Sequence, residues 1–435
     1  MGHLFSSDDL LFEERYLPSL LPRKKIVIWM TMKSLAARVK EFHANRSQPT
    51  RSLKYKLMAG NEFTFYRGTC HLYYEDMARN ASLPDAPLAW CSGDLHLENF
   101  GSYRASNGLV YFDINDFDEG ALAPASWELV RFLGSIGMAA DVWNYSAREA
   151  EDLMMVAMKA YAAQLAEGKA YAIEKETSPP LIKDFFEMAE KQREKEQLKE
   201  RVDLKKETLK IIKQKTLPLS AELYQEIKSA VGTYLKETYG FFKIKDIAFR
   251  IAGTGSLGMK RYVVLVEDKR QEKLRLLDVK QALPSSLAPH VPTLQPSFTS
   301  EAERVVTIQT LMQYAKPRFM GTLGIGQDVF ILKQMQPSAQ KIDHTLCDKK
   351  IKNLETVMTT MAQAVASAQL RSASRKGAAD VDTLIDFSQQ TSWKVTLMDC
   401  ALQSVTMMKN YFKEYKEAYE AGELEGENSD LRFEI

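Results

Sequence analysis

Residues 90–101 read WCSGDLHLENFG and residues 108–120 read GLVYFDINDFDEG, and these two stretches decide the fold. The first supplies Asp94, His96, Glu98 and Asn99. The second begins its acidic run fourteen residues after Asn99 and supplies Asp113, Asn115, Asp116, Asp118 and Glu119. Leu109–Ile114 has the composition of a short strand, entered through a turn at Asn107-Gly108. Carboxylates crowded around short apolar strands are costly without a cation or partner, because like charges repel and burial disfavours ionisation. Exposed loop acids would avoid that cost, but the apolar flanks argue that these loops emerge from a packed sheet.

Phosphoryl transfer has a use for such a set. One carboxylate orients or deprotonates the attacking hydroxyl, while a carboxamide and a second carboxylate hold magnesium, a hard cation that takes oxygen ligands. Asp94 and Asn99 have the D-x-x-x-x-N spacing of a kinase catalytic loop. Asp116 then follows a short strand, as a kinase's second metal-binding aspartate does, with Asp-Phe-Asp in place of Asp-Phe-Gly. Asp118 is a weaker candidate for a second metal. Asp94-Leu95-His96 also reads as the D-x-H of a dinuclear metallophosphoesterase. That chemistry needs further histidine ligands, and His290 and His344, the two downstream, sit in no ligand-like motif. His96 is expected to orient its loop by hydrogen bonding.

Residues 253–258 read GTGSLG, an intact G-x-G-x-x-G. A dinucleotide fold requires a helix after it, whereas MKRYVVLVE favours a strand. A glycine turn between two strands instead suits a hairpin lying over nucleotide phosphates, where side chains would block backbone approach. Gly253, Thr254, Gly255, Ser256 and Gly258 are the candidate cover. The next strand, LRLLDVKQA, carries Lys280, 22 residues beyond Gly258. A lysine ending an apolar strand commonly snorkels to solvent; behind a glycine hairpin it becomes the candidate contact for the α- and β-phosphates. Glu303, with Glu301 as the lesser choice, is the expected ion-pair partner from the following helix.

The order is inverted relative to ordinary kinases: the acids come first, the glycine loop and lysine afterwards. Residues 247–334 read strand, glycine turn, strand, strand, helix, strand, strand, a complete small lobe. The expectation is an α+β, bilobal protein-kinase-like fold, circularly permuted. Residues 1–240 form a helical large lobe with the catalytic and metal-binding loops, 241–336 a small β-rich nucleotide-binding lobe, and 337–435 C-terminal helices completing the large lobe, with a hinge at 334–341. Permutation preserves packing when the ends and new joins lie at the surface. Phe63–Asn80 reads as one helix, Ala221–Thr238 as another, and the charge-dense residues 185–215 as an exposed helix outside the core. Residues 1–60 read as basic helices, including Arg23, Lys24 and Lys25, and the acidic tail from Gly422 as loose.

The 435 residues are 45% hydrophobic and 26% charged with formal net charge +1. No global field draws this chain to nucleic acid or membrane. Cys70, Cys91, Cys347 and Cys400 are scattered and read as free thiols of a reducing compartment. Neither a signal peptide nor a membrane span is legible, so a cytoplasmic location is expected.

The segments FYRGTCHLYYEDMA (65–78), CSGDLHLENFG (91–101), FDINDFDEG (112–120), SWELVRFLGS (126–135), AGTGSLGMKRYVVLVE (252–267) and LLDVKQA (276–282), in that order, resemble the bacterial domain-of-unknown-function 2252 family. The likeness covers most of residues 60–335 and thinly the helices beyond. GDLHLEN and NDFDEG also resemble aminoglycoside and other small-molecule phosphotransferases. That resemblance implies Asp94 as catalytic aspartate and Asn99 and Asp116 as metal ligands. The family's later Ala-His-Ala-Arg-Ser-Gly element reads here Ala368-Gln369-Leu370-Arg371-Ser372-Ala373, so Gln369 replaces a histidine and Ala373 a glycine. The role of that element, substrate binding among the options, is therefore open, as is that of Arg67.

The combined expectation is an ATP- and magnesium-dependent phosphotransferase acting on an unidentified small-molecule or protein acceptor. Asp94 is the base, Asn99 and Asp116 hold metal, and Lys280 neutralises phosphate. Two rivals share the scaffold: nucleotidyl (AMP) transfer with ATP bound in a flipped orientation, and a non-catalytic nucleotide-binding pseudokinase, whose mark would be loss of one of these residues.

Overall fold

The computed structural model describes residues 33–80, 82–191, 194–336, 347 and 350–424. The basic run at 23–25, His344, residues 337–341 of the expected hinge and the tail beyond 424 lie outside the described residues. The chain divides into two compact units, residues 1–34 and 35–435, and the site lies wholly in the second.

That unit is mixed α and β. It opens with four short helices, α1 (Leu35–Phe42), α2 (Gln48–Met58), α3 (Glu62–Gly68) and α4 (Cys70–Met77). Small strands follow, β1 (Leu88–Cys91), β2 (Phe100–Arg104), β3 (Val110–Ile114) and β4 (Ala121–Pro124), and then helices α5 (Ala125–Val142) and α6 (Ala147–Ala166). A connecting region holds β5 (Ile173–Glu174), α7 (Pro180–Lys191), α8 (Glu194–Arg201), β6 (Val202–Asp203), β7 (Thr208–Leu209), β8 (Thr216–Leu217) and α9 (Ala221–Thr238). The main sheet is built from β9 (Phe242–Arg250), β10 (Arg261–Asp268), β11 (Lys273–Gln281), β12 (Gly321–Ile325) and β13 (Asp328–Gln334), with α10 (Glu301–Met312) between β11 and β12. Helices α11 (Ile351–Ser372), α12 (Val381–Gln389) and α13 (Ser392–Glu420) complete the unit.

The segment expected as one helix over Phe63–Asn80 is two. Thr69 leaves the helical region (φ −126°, ψ 37°) between α3 and α4, and its hydroxyl turns back to donate to the Phe65 carbonyl at 2.7 Å. α6 starts at a capping box in which Ser146 and Glu149 satisfy each other's backbone amides. α5 is buried along nearly its whole length, as its apolar composition requires. It packs on α13 and α6, while α11 packs on α6. The largest core therefore joins helices from both ends of the sequence.

The sheet runs β12-β13-β11-β10-β9-β8, every pair antiparallel. Alternation sorts its residues by face. Tyr262, Val264, Leu277 and Val279 pack beneath α9 against Ile227, Val231 and Leu235. On the opposite face Ala248, Val263, Leu265 and Leu276 are covered by Val202, Leu209 and Met335. This corrects the reading of residues 185–215 as an exposed helix outside the core. The charged helices end at Arg201, and the hairpin β6–β7 seals half of the sheet's second face, because two apolar side chains in a polar run suffice to anchor it. The four cysteines are free and buried. Among the described residues no helix is long and apolar enough to cross a membrane.

Candidate functional site

β1 runs into Ser92-Gly93, and the turn there is tight. Gly93 has φ +88°, and a Cβ on it would lie 2.2 Å from the Glu119 carbonyl oxygen, so only glycine lets the two acidic loops touch. Glu128 on α5 holds the turn from behind. It accepts from the amide of Ser92 at 2.5 Å, the Ser92 hydroxyl at 2.7 Å and the Gly93 amide at 3.2 Å. Burial pushes its carboxyl above the usual range, against these hydrogen bonds.

One turn further along α5, Arg131 donates to Asp94 Oδ1 from Nη2 at 2.7 Å and Nε at 3.2 Å. The guanidinium is fully buried, lies over the Tyr66 ring at 3.9 Å and the Tyr73 ring at 4.7 Å, and donates to the Tyr66 carbonyl at 2.9 Å. One oxygen of Asp94 is thus fixed in place. His96 Nε2 stands 3.8 Å from the other, while His96 Nδ1 accepts from the Glu98 amide at 3.2 Å, the orienting role expected of it. Asn99 Nδ2 donates to the Asp94 carbonyl at 2.5 Å, which leaves the amide oxygen for another partner.

Lys280, at the end of β11, reaches across 164 residues of sequence to Asp116 Oδ2 at 3.2 Å and makes a close ion pair with Asp118. Burial alone would lower the lysine's pKa, but the two carboxylates outweigh it and raise it. Burial alone would raise Asp116, but Lys280 and then Lys333 hold it well below the usual carboxylate range. Asp118, desolvated and beside Asp116, is pushed up.

The loop of residues 251–260 joins antiparallel β9 and β10, so the glycines sit between two strands. Gly253 and Gly258 have φ +76° and +88°, a region closed to most side chains. The loop is held from outside. Lys54 Nζ donates to the carbonyls of Thr254 and Gly255 at 3.0 and 3.3 Å. Arg46 Nη1 donates to Gly255 and Leu257 at 2.6 and 2.8 Å, and the Ser47 amide donates to the Gly258 carbonyl at 2.9 Å. Burial, with Arg46 nearby, pulls the Lys54 ammonium well below the ordinary lysine range, against Asp94 and Glu119.

Two cavities meet at these residues and share Asp94, Asn99, Asp116, Gly255 and Ser256. The inner one, about 450 Å³, runs under the sheet to Gln334 and Gln336 and is bordered by Arg67, Arg250, Arg261, Asp278 and Lys333. The outer one, about 650 Å³, opens between Phe42, Met259, Leu283 and Pro284 and includes Glu119. Across the inner wall Asp278 takes Arg250 Nη1 at 2.6 Å and Arg261 Nη2 at 2.6 Å. The two guanidiniums outweigh burial and hold it far below the usual carboxylate range.

The sequence-derived residues Asp94, Asn99, Asp116, Asp118, Gly253, Thr254, Gly255, Ser256 and Gly258 thus border the two cavities, whereas Lys280 borders neither and lines a small cavity of about 90 Å³ behind Asp116 and Asp118. Glu303 does not join them. Its carboxylate turns to the Thr299 amide and hydroxyl, both at 2.6 Å, closing the start of α10 as a third-residue acid does. Glu301 pairs with Arg304, and Arg304 is the inward residue of that helix, donating to the carbonyls of Gly120, Asp118 and Leu283 at 2.6, 2.7 and 2.9 Å. Asp113 faces away, paired with Arg371 at 2.9 Å. Arg67 pairs with Glu98 at 2.9 Å on the cavity rim.

Gln369, where the resembling family carries a histidine, is buried behind the Ser92–Asn99 loop. It accepts from Tyr161 Oη at 2.5 Å and donates to Glu128 at 3.4 Å. It supports the Ser92-Gly93 turn through Glu128 and borders neither of these two cavities. Sequence reasoning missed Glu128, Arg131, Arg46 and Lys54. For the first two a signal existed: an acid and an arginine inside the apolar run SWELVRFLGS must have buried partners.

No curated protein matches the chain, and no solved structure does. A family model does match, over residues 46–418. The matched span starts at the glycine-loop tether Arg46 and takes in both acidic loops, the glycine loop and Lys280, leaving out only Phe42 among the cavity residues named above, and so the chain belongs to the family described as an uncharacterized protein conserved in bacteria, DUF2252.

Proposed function

We propose that this protein is a transferase that moves a phosphoryl or nucleotidyl group from magnesium ATP to an acceptor hydroxyl, on a bilobal kinase-like scaffold whose two lobes are permuted in the chain. One observation carries this reading: Lys280, from the strand behind the glycine loop, pairs with Asp116 and Asp118, the two carboxylates that border the cavity of Asp94 and Asn99.

The donor set suits a magnesium ion held jointly with phosphate. Asn99, Asp116 and Asp118 offer hard oxygens, and the two carboxylates already bracket a cation, the Lys280 ammonium. Among the described residues there is no cluster of three or more His, Cys, Asp or Glu able to hold a metal alone, so phosphate oxygens would have to complete the shell. When bound, the ion neutralises phosphate charge and orients it. The chain's own residues do the rest. Asp94, with one oxygen fixed by Arg131, presents the other to the acceptor hydroxyl and takes its proton. Lys280 supplies charge at the phosphates. The glycine loop, with its carbonyls drawn away by Arg46 and Lys54, approaches them with backbone alone. Transfer of the γ-phosphoryl and transfer of AMP both use this arrangement, and the sheet wall of the inner cavity, with Arg250, Arg261 and Lys333 against Asp278, favours the second.

Calorimetry with ATP, with and without magnesium, tests the reading. Asn99→Ala and Asp116→Ala should weaken magnesium ATP binding more than metal-free ATP binding, and Lys280→Ala should weaken both. Equal effects of the first two on both forms would remove them from the metal site.

A further inference from the structure

The sheet's cleft face separates into an apolar half and a charged half, and this bears on how a nucleotide would lie. A purine needs flat apolar surface above and below it. The apolar residues of this face, Ala248, Val263, Leu265 and Leu276, are already covered by the chain's own Val202, Leu209 and Met335. What the sheet turns toward the inner cavity is Arg250, Arg261, Asp278 and, from β13, Lys333.

This wall carries excess positive charge and excess donors. Two guanidiniums share the single carboxylate of Asp278. Among the described residues the Lys333 ammonium has no hydrogen bond or ion pair, and burial pulls it below the ordinary lysine range, with Asp116 opposing. Arg250 Nε is buried without a hydrogen-bond partner, and so are Arg67 Nε and the Ser102 hydroxyl, on residues that border the same cavity. Buried donors left unpaired are costly. A ligand that only accepts hydrogen bonds and carries negative charge, such as a run of phosphates, suits the charge of this wall. The outer cavity has the opposite character. Phe42, 39% exposed, borders it with Met259, Leu283 and Pro284.

Resting on the transferase reading above, we propose that the inner cavity is a polyphosphate site: the β- and γ-phosphates of the nucleotide lie against Arg250, Arg261 and Lys333, and the base lies in the outer cavity beside Phe42 and Met259. The α-phosphorus then stands at Asp94 and the carboxylates. The acceptor oxygen attacks it, a new P–O bond forms, and the bond from the α-phosphorus to the α,β-bridging oxygen breaks. Pyrophosphate leaves with that electron pair, the acceptor proton passes to Asp94, and the product is an AMP ester.

The orientation can be tested without knowing the acceptor. The full-length protein is titrated with magnesium ATP, inorganic tripolyphosphate and adenosine, and photolabelled with 8-azido-ATP followed by peptide mapping. Lys333→Met should weaken ATP and tripolyphosphate alike, on the order of tenfold or more. Lys333→Arg should restore both, and adenosine should not respond. Label should fall on peptides containing Phe42 or Met259. Label on peptides containing Tyr103 or Gln334–Gln336, or ATP binding indifferent to Lys333→Met, overturns the orientation and leaves the transferase reading standing. Tripolyphosphate binding without ATP binding, or binding of neither, overturns both; the first outcome would assign the cavity to a phosphorylated ligand other than a nucleotide. With any labelled acceptor, transfer of α-label with pyrophosphate release supports the proposal, and transfer of γ-label with ADP release overturns it.

Discussion

The acidic loops and the glycine loop border the same cavities but are held in different ways. Around Asp94 the supports are side chains acting on a side chain and its turn, and they lie close in sequence: Arg131 is 37 residues from Asp94, and Glu128 is 36 from Ser92. Around Gly255 the supports act on backbone carbonyls and come from far away: Lys54 is 201 residues distant and Arg46 is 209. On the proposed reading, the difference follows from what each loop would present. A proton acceptor must have its carboxylate fixed, which needs a directional, buried partner. A phosphate cover must have its peptide planes fixed and its side chains absent, so its partners can only be groups that bind carbonyls.

The sharpest way to break the comparison is at Arg131. Arg131→Leu should cost about 3–5 kcal/mol of stability, because it strands Asp94 and removes a cation from two aromatic rings. Urea denaturation at neutral pH measures this, and Asp94→Asn in the same background should recover part of the loss. A loss below about 1 kcal/mol would make the acidic loop self-supporting. Asp278 offers the counterpart in the sheet. Asp278→Asn should cost about 3 kcal/mol, since Arg250 and Arg261 are left without their shared carboxylate. The sign with pH is definite. Asp278 is held below its ordinary value in the folded state, so its contribution is present above the unfolded carboxylate pKa and is lost as pH falls through and below that value. Urea midpoints between pH 6 and pH 3 should therefore fall more steeply in the wild type than in Asp278→Asn.

Asp94→Asn separates chemistry from fold. It keeps the shape and one acceptor for Arg131, so nucleotide binding should remain near normal while transfer drops by roughly a hundredfold or more. Wild-type turnover in this variant would exclude Asp94 as the base. Lys54→Met should act more gently and on a different parameter. Releasing two carbonyls of the glycine loop costs about 1–3 kcal/mol, and it should appear as a raised KM for ATP with kcat little changed. A fall in kcat alone would mean that the loop positions the reacting groups directly. The smallest effect is expected at Glu303. Its carboxylate caps α10 and is remote in function from Lys280, so Glu303→Gln should leave ATP affinity within error of the wild type by calorimetry. A loss matching that of Lys280→Ala would restore it as the lysine's partner.

The elements themselves were legible to a good degree. The strands that became β9, β10, β11 and β13, the helices α9, α10 and α11, and the placement of the glycine loop between strands all follow from local periodicity and turn residues. The errors arose where one residue or a few decided the outcome. Thr69 breaks a pattern that reads as a continuous helix because its hydroxyl competes for a backbone carbonyl. Val202 and Leu209 are too few to register against the lysines and glutamates around them, yet they place that hairpin on the sheet. Glu303 is the choice over Glu301 by analogy of charge, yet one residue of rotation around α10 puts Arg304 instead on the carbonyls of the acidic loop.

The sequence by itself determined which groups could do chemistry: Asp94 and Asn99 five residues apart, Asp116 and Asp118 after a short strand, glycines where backbone alone must approach, and Lys280 ending an apolar strand. Spacing within one loop or strand is enough for that, because a few residues of chain leave little freedom in where their side chains go. Only the tertiary structure decided which partners those groups have. Lys280 meets Asp116 and Asp118, Lys54 meets the glycine loop, and Val202, Leu209 and Met335 close over the sheet's apolar half and leave a charged wall beside the site. These contacts span up to two hundred residues, and no local rule of backbone or periodicity reaches that far. They are set by which apolar faces must be buried together, and the charged groups go where that packing takes them.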